Sequence, residues 1–240
     1  MKLTFLGTRG YIDTATRLHG RHSSLLVTYR RKRVMVDAGQ DWLGLLDAVA
    51  PDAIVLTHSH PDHAFGLERG APCPVWAPAA AWPQIDPYPL ADRRVVGIRE
   101  PVKVEGITFE AFEVEHSVTF PTVGYRITAG KTTIFYSPDL IWIRERDDAL
   151  RGIRAYVGDG ASLTIPMVRR RGDQLIGHTK VSTQLGWCAK DGVPRCIITH
   201  CGVEIVGPDE KRIAEEIAAA GARKGVPTEV AYDGMEVTFR

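Results

Sequence analysis

A mixed α and β fold is what the sequence predicts, on three observations. Short runs of β-branched and aromatic residues alternate with amphipathic stretches of helical length. The apolar content, 44% over 240 residues, is enough for a substantial core, and one domain over residues 1–240 is expected rather than two. Acidic and imidazole residues gather just beyond the ends of the apolar runs.

The chain opens with Met1-Lys2-Leu3-Thr4-Phe5-Leu6-Gly7, a strand at 2–6 running into a glycine loop, without the apolar region and cleavage site of a signal peptide. Strands follow at 23–29 and 32–36, then a helix at 41–49 and a strand at 53–57. Between Ala71 and Ala91, Pro72, Pro74, Pro78, Pro83, Pro87 and Pro89 rule out long regular elements and predict an ordered irregular excursion, whose Trp76, Trp82 and Tyr88 are candidates to wall a pocket. Further strands are expected at 107–115, 122–129, 131–136, 153–157, 195–199 and 228–238, and helices at 143–151, 179–190 and 208–222.

No apolar run approaches ~18 residues, so a soluble cytoplasmic protein is expected. Thirty basic against 29 acidic side chains give no global electrostatic case for nucleic acid or an anionic membrane. Four cysteines lack the spacing of a zinc ribbon or a disulfide framework and read as reduced thiols, with Cys201 a marginal metal contact beside a candidate ligand.

The most specific segment is His58-Ser59-His60-Pro61-Asp62-His63, directly after Ala53–Thr57. Three imidazoles and a carboxylate within six positions serve no packing purpose, and both are ligands of Zn²⁺ and its first-row neighbours. In an extended segment His58 and His60 point the same way, while Asp62 and His63 diverge toward a second ion. Six predicted strands deliver such a residue at their C-terminal ends: Asp37, His58, His116, Asp139, Asp159 and His200. Loops beyond strand C-termini are where αβ folds assemble sites, so residues far apart in sequence can meet at one rim.

This set resembles the metallo-β-lactamase superfamily, whose hallmark is H-x-H-x-D-H followed by a distant His, a bridging Asp and a final His. The resemblance spans nearly the whole chain and implies an α+β fold, a four-layer αβ/βα sandwich of two mixed sheets flanked by helices. It implies two divalent ions, zinc foremost with manganese or iron admitted: one on His58, His60 and His116, the other on Asp62, His63 and His200, with Asp139 shared. Asp37 would accept a hydrogen bond from a ligand imidazole and fix its tautomer.

Finer wording resembles the phosphodiesterase branch, which includes ribonuclease Z and the cyclic phosphodiesterase of the carbon–phosphorus lyase pathway. The residues concerned are Ser117–Ile127, Phe135-Tyr136-Ser137-Pro138-Asp139, Gly177-His178-Thr179 and Gly158-Asp159-Gly160. By that resemblance His178, 22 positions before His200, acts near the leaving group and Asp159 pairs with it. Two departures stand out. Only 23 positions separate His116 from Asp139, which leaves no room for the arm by which ribonuclease Z grips transfer RNA, and Cys201–Glu204 lacks that enzyme's Ser and Arg, so tRNA is not expected as a substrate. Thr8–His22 holds no cysteine, so the structural zinc loop of the cyclic phosphodiesterase is not expected either.

The expected activity is hydrolysis of a small, cyclic or nucleotide-type phosphodiester by a metal-bridging hydroxide. Its catalytic residues would be His178 as general acid, Asp159 holding the ring, and Asp62. Alternatives are a carboxylic ester, thioester or lactam hydrolase on the same scaffold, or a metal-binding accessory protein without turnover. His22 and Arg169-Arg170-Arg171 are candidate substrate contacts, the arginines from a loop upstream of His178. Arg30-Arg31-Lys32-Arg33 reads as a solvated hairpin turn at the opposite end of the sheet. A homodimer is left open.

Overall fold

The computed structural model describes residues 1–239, in which two sheets share one apolar interior. The first is built from β1 (Lys2–Gly7), β2 (Ser24–Tyr29), β3 (Lys32–Val36), β4 (Ala53–Val55), β5 (Val75–Pro78) and β6 (Arg93–Val96). The second takes β7 (Val102–Val104), β8 (Ile107–Glu115), β9 (Thr122–Ala129), β10 (Thr132–Tyr136), β11 (Trp142–Ile143) and β12 (Ala155–Asp159). A separate hairpin of β13 (Arg169–Arg171) and β14 (Gln174–Ile176) follows, and then β15 (Cys196–Thr199) and β16 (Thr228–Val230) complete the second sheet. The last strand, β17 (Glu236–Thr238), returns to the first sheet and pairs antiparallel with β1.

Alternation along the strands explains the layering. Val34 and Val36 of β3 turn inward with Leu25, Val27 and Val55 to meet Tyr125, Ile127, Ile134, Tyr136 and Val157 of the other sheet. Met35, between the two valines, faces outward into a cluster with Trp42, Leu46, Ile54 and Leu67. That cluster is capped by α1 (Leu46–Val49) and α2 (Pro61–Ala64). On the far side Phe135, Tyr156 and Ile198 pack under α3 (Arg146–Leu150), α4 (Val181–Lys190) and α5 (Glu210–Arg223). Buried Val181, Gln184, Leu185 and Cys188 make the inner face of α4, the spacing of an amphipathic helix. The result is the expected four-layer αβ/βα arrangement.

Strand direction positions the site. The first sheet pairs β3, β4, β5 and β6 in parallel, and the second pairs β10, β12, β15 and β16 in parallel. Two antiparallel steps, β8 to β9 and β9 to β10, leave β8 running the same way as β10. Their C-terminal ends therefore open on one rim.

Several boundaries differ from expectation for identifiable reasons. The segment expected as one strand at 228–238 is two, β16 and β17, because the chain crosses between sheets at a turn through Gly234, φ +87°. The helix expected at 41–49 is interrupted at Gly44, φ +75°, into a 3₁₀ turn Gln40–Trp42 and the short α1. The proline-rich excursion contains β5, whose Pro78 stands at its end where no further ladder donor is required. Trp82 and Tyr88 pack against the outer cluster and Trp76 against the inter-sheet core, so none of the three walls the cavity described below. Among the described residues no helix is long and apolar enough to cross a membrane.

Candidate metal centre

The loop after β4 is held close to the strand before it. Ala38 donates to the His63 carbonyl at 2.7 Å, and a Cβ at Gly39 would lie 1.9 Å from the Asp62 carbonyl oxygen, so only glycine fits there. Pro61 begins α2, where its missing N–H costs nothing, and the helix carries Asp62 and His63 inward.

Two sets of ligand atoms converge. His60 Nδ1 lies 2.8 Å from His58 Nε2 and 3.3 Å from His116 Nε2, and Asp139 Oδ2 is 3.3 Å and 3.4 Å from those two Nε2 atoms. In the other set Asp62 Oδ2 lies 3.2 Å from His63 Nε2 and 3.3 Å from His200 Nε2. Asp139 reaches both sets, with Oδ2 3.2 Å from His63 Nε2 and Oδ1 2.9 Å from His200 Nε2. A tetrahedral ion with bonds of ~2.0–2.1 Å sets ligand atoms about 3.4 Å apart; the spacings here run from 2.8 to 3.4 Å.

The outer nitrogens of three rings are committed as donors, which fixes their tautomers. His63 Nδ1 donates to Asp37 Oδ2 at 2.9 Å, His116 Nδ1 to the Gly177 carbonyl at 3.0 Å, and His58 Nδ1 to Thr57 Oγ1 at 3.0 Å. Carbonyl and carboxylate oxygens only accept, so Nε2 of His63 and His116 keeps its lone pair for the interior of the cluster. Thr57 Oγ1 donates onward to Asp37, which leaves it an acceptor for His58. Asp37 is fully buried and also accepts from Thr57 N–H at 2.7 Å. Burial pushes its carboxyl up in pKa, and the bonds from His63 and Thr57 act against this.

Electrostatics also fits a cation. Burial, followed by neighbouring imidazoles, pushes His58 well below the usual histidine range and His60 down to about 4, so both are neutral donors at neutral pH. Burial opposes charge at His63 and His200 too, but the surrounding Asp62, Asp139 and Asp37 carboxylates outweigh it for His63, as do Asp139, Asp159 and Asp62 for His200. That half of the cluster favours positive charge. His63 Nε2 and Asp139 Oδ1 are buried and crowded by other ligand atoms, yet make no well-aligned hydrogen bond, as expected of atoms shaped to bind an ion.

Beside the cluster, His178 Nδ1 donates to Asp159 Oδ2 at 2.7 Å and lies 4.0 Å from Asp139 Oδ1. Asp159 is itself fixed, accepting from Leu140 N–H at 3.0 Å and Ala161 N–H at 2.7 Å. Burial works against the charged form of His178, but the Asp159 carboxylate outweighs it and raises the ring above the ordinary histidine value. Asp159 is held below the ordinary carboxylate value by His178 and His200, against the opposing effect of burial. Lys180, not His178, occupies the cap position of α4. A residue the sequence reading passed over completes the pair: buried Gln184 of α4 accepts from Asp159 N–H at 2.9 Å and donates to the Asp159 carbonyl at 2.7 Å. The available signal was a single amide on an otherwise apolar helix face.

A cavity of about 370 Å³ opens onto this cluster and is lined by His60, Asp62, His116, Asp139, His178 and His200 together with Gly10, Tyr11 and Ile12. The last three were not anticipated. His22 does not line it: Nδ1 sits 2.5 Å from Asp41 Oδ2, the residue is 1% exposed, and a bridge between Arg9 and His22 holds the loop inward. Arg169, Arg170 and Arg171 lie not on a loop but on β13, exposed beside the Gly172–Asp173 turn and outside the lining. Cys201 is buried with its thiol pushed up in pKa by burial, and belongs to none of the ligand groups among the described residues.

Two stacked sheets with a His/Asp cluster at the C-terminal rim of their strands define a metallohydrolase fold. Residues 32–201 match the family described as the β-lactamase superfamily domain, and the chain belongs to that superfamily. It is 27% identical to a ribonuclease Z of Methanopyrus kandleri, with 99% of this chain and 98% of the relative covered. That alignment extends over 292 residues, more than this chain has, so it opens gaps here. Among solved structures, a diphosphatase from the PhnP family superposes with a TM-score of 0.72 at 19% identity, covering 100% of this chain and 98% of the other. The short form of human tRNase Z gives 0.67 at 16% identity, with 100% of each chain covered. The argument against transfer RNA from the short His116–Asp139 interval finds no support here, since two of these relatives are named for RNA cleavage.

Proposed function

We propose that this protein is a dinuclear metal-dependent phosphodiesterase in which His178 is the general acid. The observation that carries the reading is the 2.7 Å Asp159–His178 pair opening onto the same cavity as the His/Asp cluster. His58, His60, His116 and Asp139 would hold one ion, and Asp62, His63, His200 and Asp139 the other. Two such ions, zinc or another first-row divalent metal, supply a water-derived nucleophile at neutral pH and offset charge at phosphorus.

The chain's own residues do the rest. A departing alkoxide is a strong base, and a positioned acid speeds its release by ~10²–10⁴-fold. Asp159 takes Nδ1 of His178 and stabilises the imidazolium, leaving the other ring nitrogen to deliver a proton to the leaving oxygen. Asp62 and Asp139 would offset part of the ions' charge and leave the site positive toward a monoanionic diester, while Asp37 and Gly177 hold His63 and His116 in the productive tautomer.

The test is turnover of bis-p-nitrophenyl phosphate by zinc- or manganese-loaded protein. On a diester with an alkoxide leaving group His178→Gln is expected to lower kcat by ~10²–10⁴-fold with metal content unchanged, and on bis-p-nitrophenyl phosphate, whose phenolate departs without protonation, by far less. Because the His178 pKa is raised, its acid form is present at lower pH and lost as pH climbs through that value, so a basic limb in kcat should vanish in the variant. Absence of turnover with either metal overturns the reading. Acyl ester or thioester hydrolysis indifferent to His178→Gln replaces it with the carbon-ester alternative. Because two relatives are named for RNA cleavage, transfer RNA belongs in the assay panel.

A further inference from the structure

Apart from the His/Asp cluster, the cavity wall is apolar: Tyr11, Ile12, Ala161, Met167 and Val203. Tyr11 and Val203 are 65% and 61% exposed, large apolar surfaces that no part of the described chain covers. No lysine or arginine is among the lining residues described. Arg9, adjoining this wall in sequence, is turned away: its guanidinium lies 3.2 Å from Asp41 and donates to the Ile12 carbonyl. The three arginines of β13 stand outside the lining as well.

A second phosphate brought against such a wall would lose hydration without gaining a partner, a cost that apolar or aromatic groups do not incur. Covering exposed Tyr and Val side chains is favourable in proportion to the apolar area removed from water. We propose that the site takes phosphodiesters with an apolar or aromatic ester group and no second phosphate, that group lying along Tyr11, Ile12, Met167 and Val203. This rests on the phosphodiesterase reading and narrows its substrate class.

Calorimetric titration of metal-loaded protein tests it without relying on turnover. Diphenyl phosphate should bind at least about tenfold more tightly than dimethyl phosphate, equivalent to about 1.4 kcal/mol. Tyr11→Ala and Val203→Ser, both at exposed positions, should each narrow that ratio while leaving dimethyl phosphate affinity and metal content unchanged. Thymidine 3′,5′-bisphosphate should bind no more tightly than thymidine 5′-monophosphate. Equal affinities for the diphenyl and dimethyl esters overturn the proposal. So does a tenfold advantage of the bisphosphate that disappears in Arg169→Ala/Arg170→Ala/Arg171→Ala. Tight diphenyl phosphate binding with no hydrolysis of bis-p-nitrophenyl phosphate sinks the phosphodiesterase reading instead, so the two failures are distinguishable.

Discussion

Strand β3 begins at a solvent-exposed turn and ends beside a residue that solvent does not reach, and the same backbone device is used at both ends. At the first, Arg30 and Arg31 take φ of +49° and +69° to close the two-residue turn between β2 and β3. At the second, Asp37 takes φ of +63° just past the last strand residue. Left-handed backbone costs a non-glycine residue ~1–2 kcal/mol at either place. At the turn this connects two strands, and neighbouring Lys32 merely pairs across the surface with Asp52 and Glu105. At the other end it aims a buried carboxylate at His63 and Thr57. Burial therefore separates a strain that only reverses the chain from one that orients a candidate ligand.

The comparison predicts that changes at the rim abolish function and changes at the turn do not. The largest effect is expected from Asp139→Ala, which removes the one carboxylate shared by both ligand sets. Metal content measured by mass spectrometry of the isolated protein should fall, and turnover should drop by at least ~10³-fold. That is a conservative figure, given that a bound ion lowers the pKa of water from about 15.7 to about 7. Full metal occupancy in this variant would break the two-set description.

Asp37→Asn should come next. Asparagine tolerates left-handed backbone and matches the shape, but its NH2 replaces one acceptor oxygen and meets either His63 Nδ1–H or Thr57 N–H, so an acceptor is lost together with the charge. Loss of an outer hydrogen-bond partner typically costs 10–100-fold in metal affinity, and zinc titration against a chromogenic chelator should show a loss of about that size. Asp37→Gly relieves the backbone strain entirely, and it should still bind metal less tightly than Asp37→Asn. The reverse order would mean that conformation, not the carboxylate, matters at this end of β3.

How much of this was legible in the sequence follows the same division. The convergence of His58–His63, His116, Asp139 and His200 could be read because a metal site needs rare residue types, and those types sit where apolar runs stop. Asp37 and the Asp159–His178 pair were legible for the same reason. The wall of Tyr11, Ile12 and Val203 was not, since an apolar residue in a loop looks the same whether it packs or waits for a ligand. His22 and Arg169–Arg171 lie outside the cavity lining: their chemistry suits a phosphate, but orientation decides, and it is set by Asp41 for His22 and by local pairing with Gln174–Ile176 for the arginines. The crossing between sheets at Gly234 was hidden because residues 228–238 read as one extended run, and only the pairing partners, β15 for one half and β1 for the other, reveal the break.

The smallest effect is expected at the turn, where it should have the opposite sign. A two-residue connection with both central residues at positive φ suits Asn-Gly, and Arg30-Arg31 is a poor match for it. Arg30→Asn/Arg31→Gly should therefore relieve strain in the folded state, with the introduced glycine returning part of the gain as unfolded-chain entropy. A net stabilisation of about 1 kcal/mol corresponds to a rise of about 2–4 °C in Tm for a chain of this size, measurable by calorimetry. Metal content and turnover should stay at wild-type levels, because no ligand or partner of a ligand lies at that end of β3. A loss of activity in this variant would show that the two ends of the strand are coupled, and would remove the division between a turn that closes the chain and a rim proposed to do the chemistry.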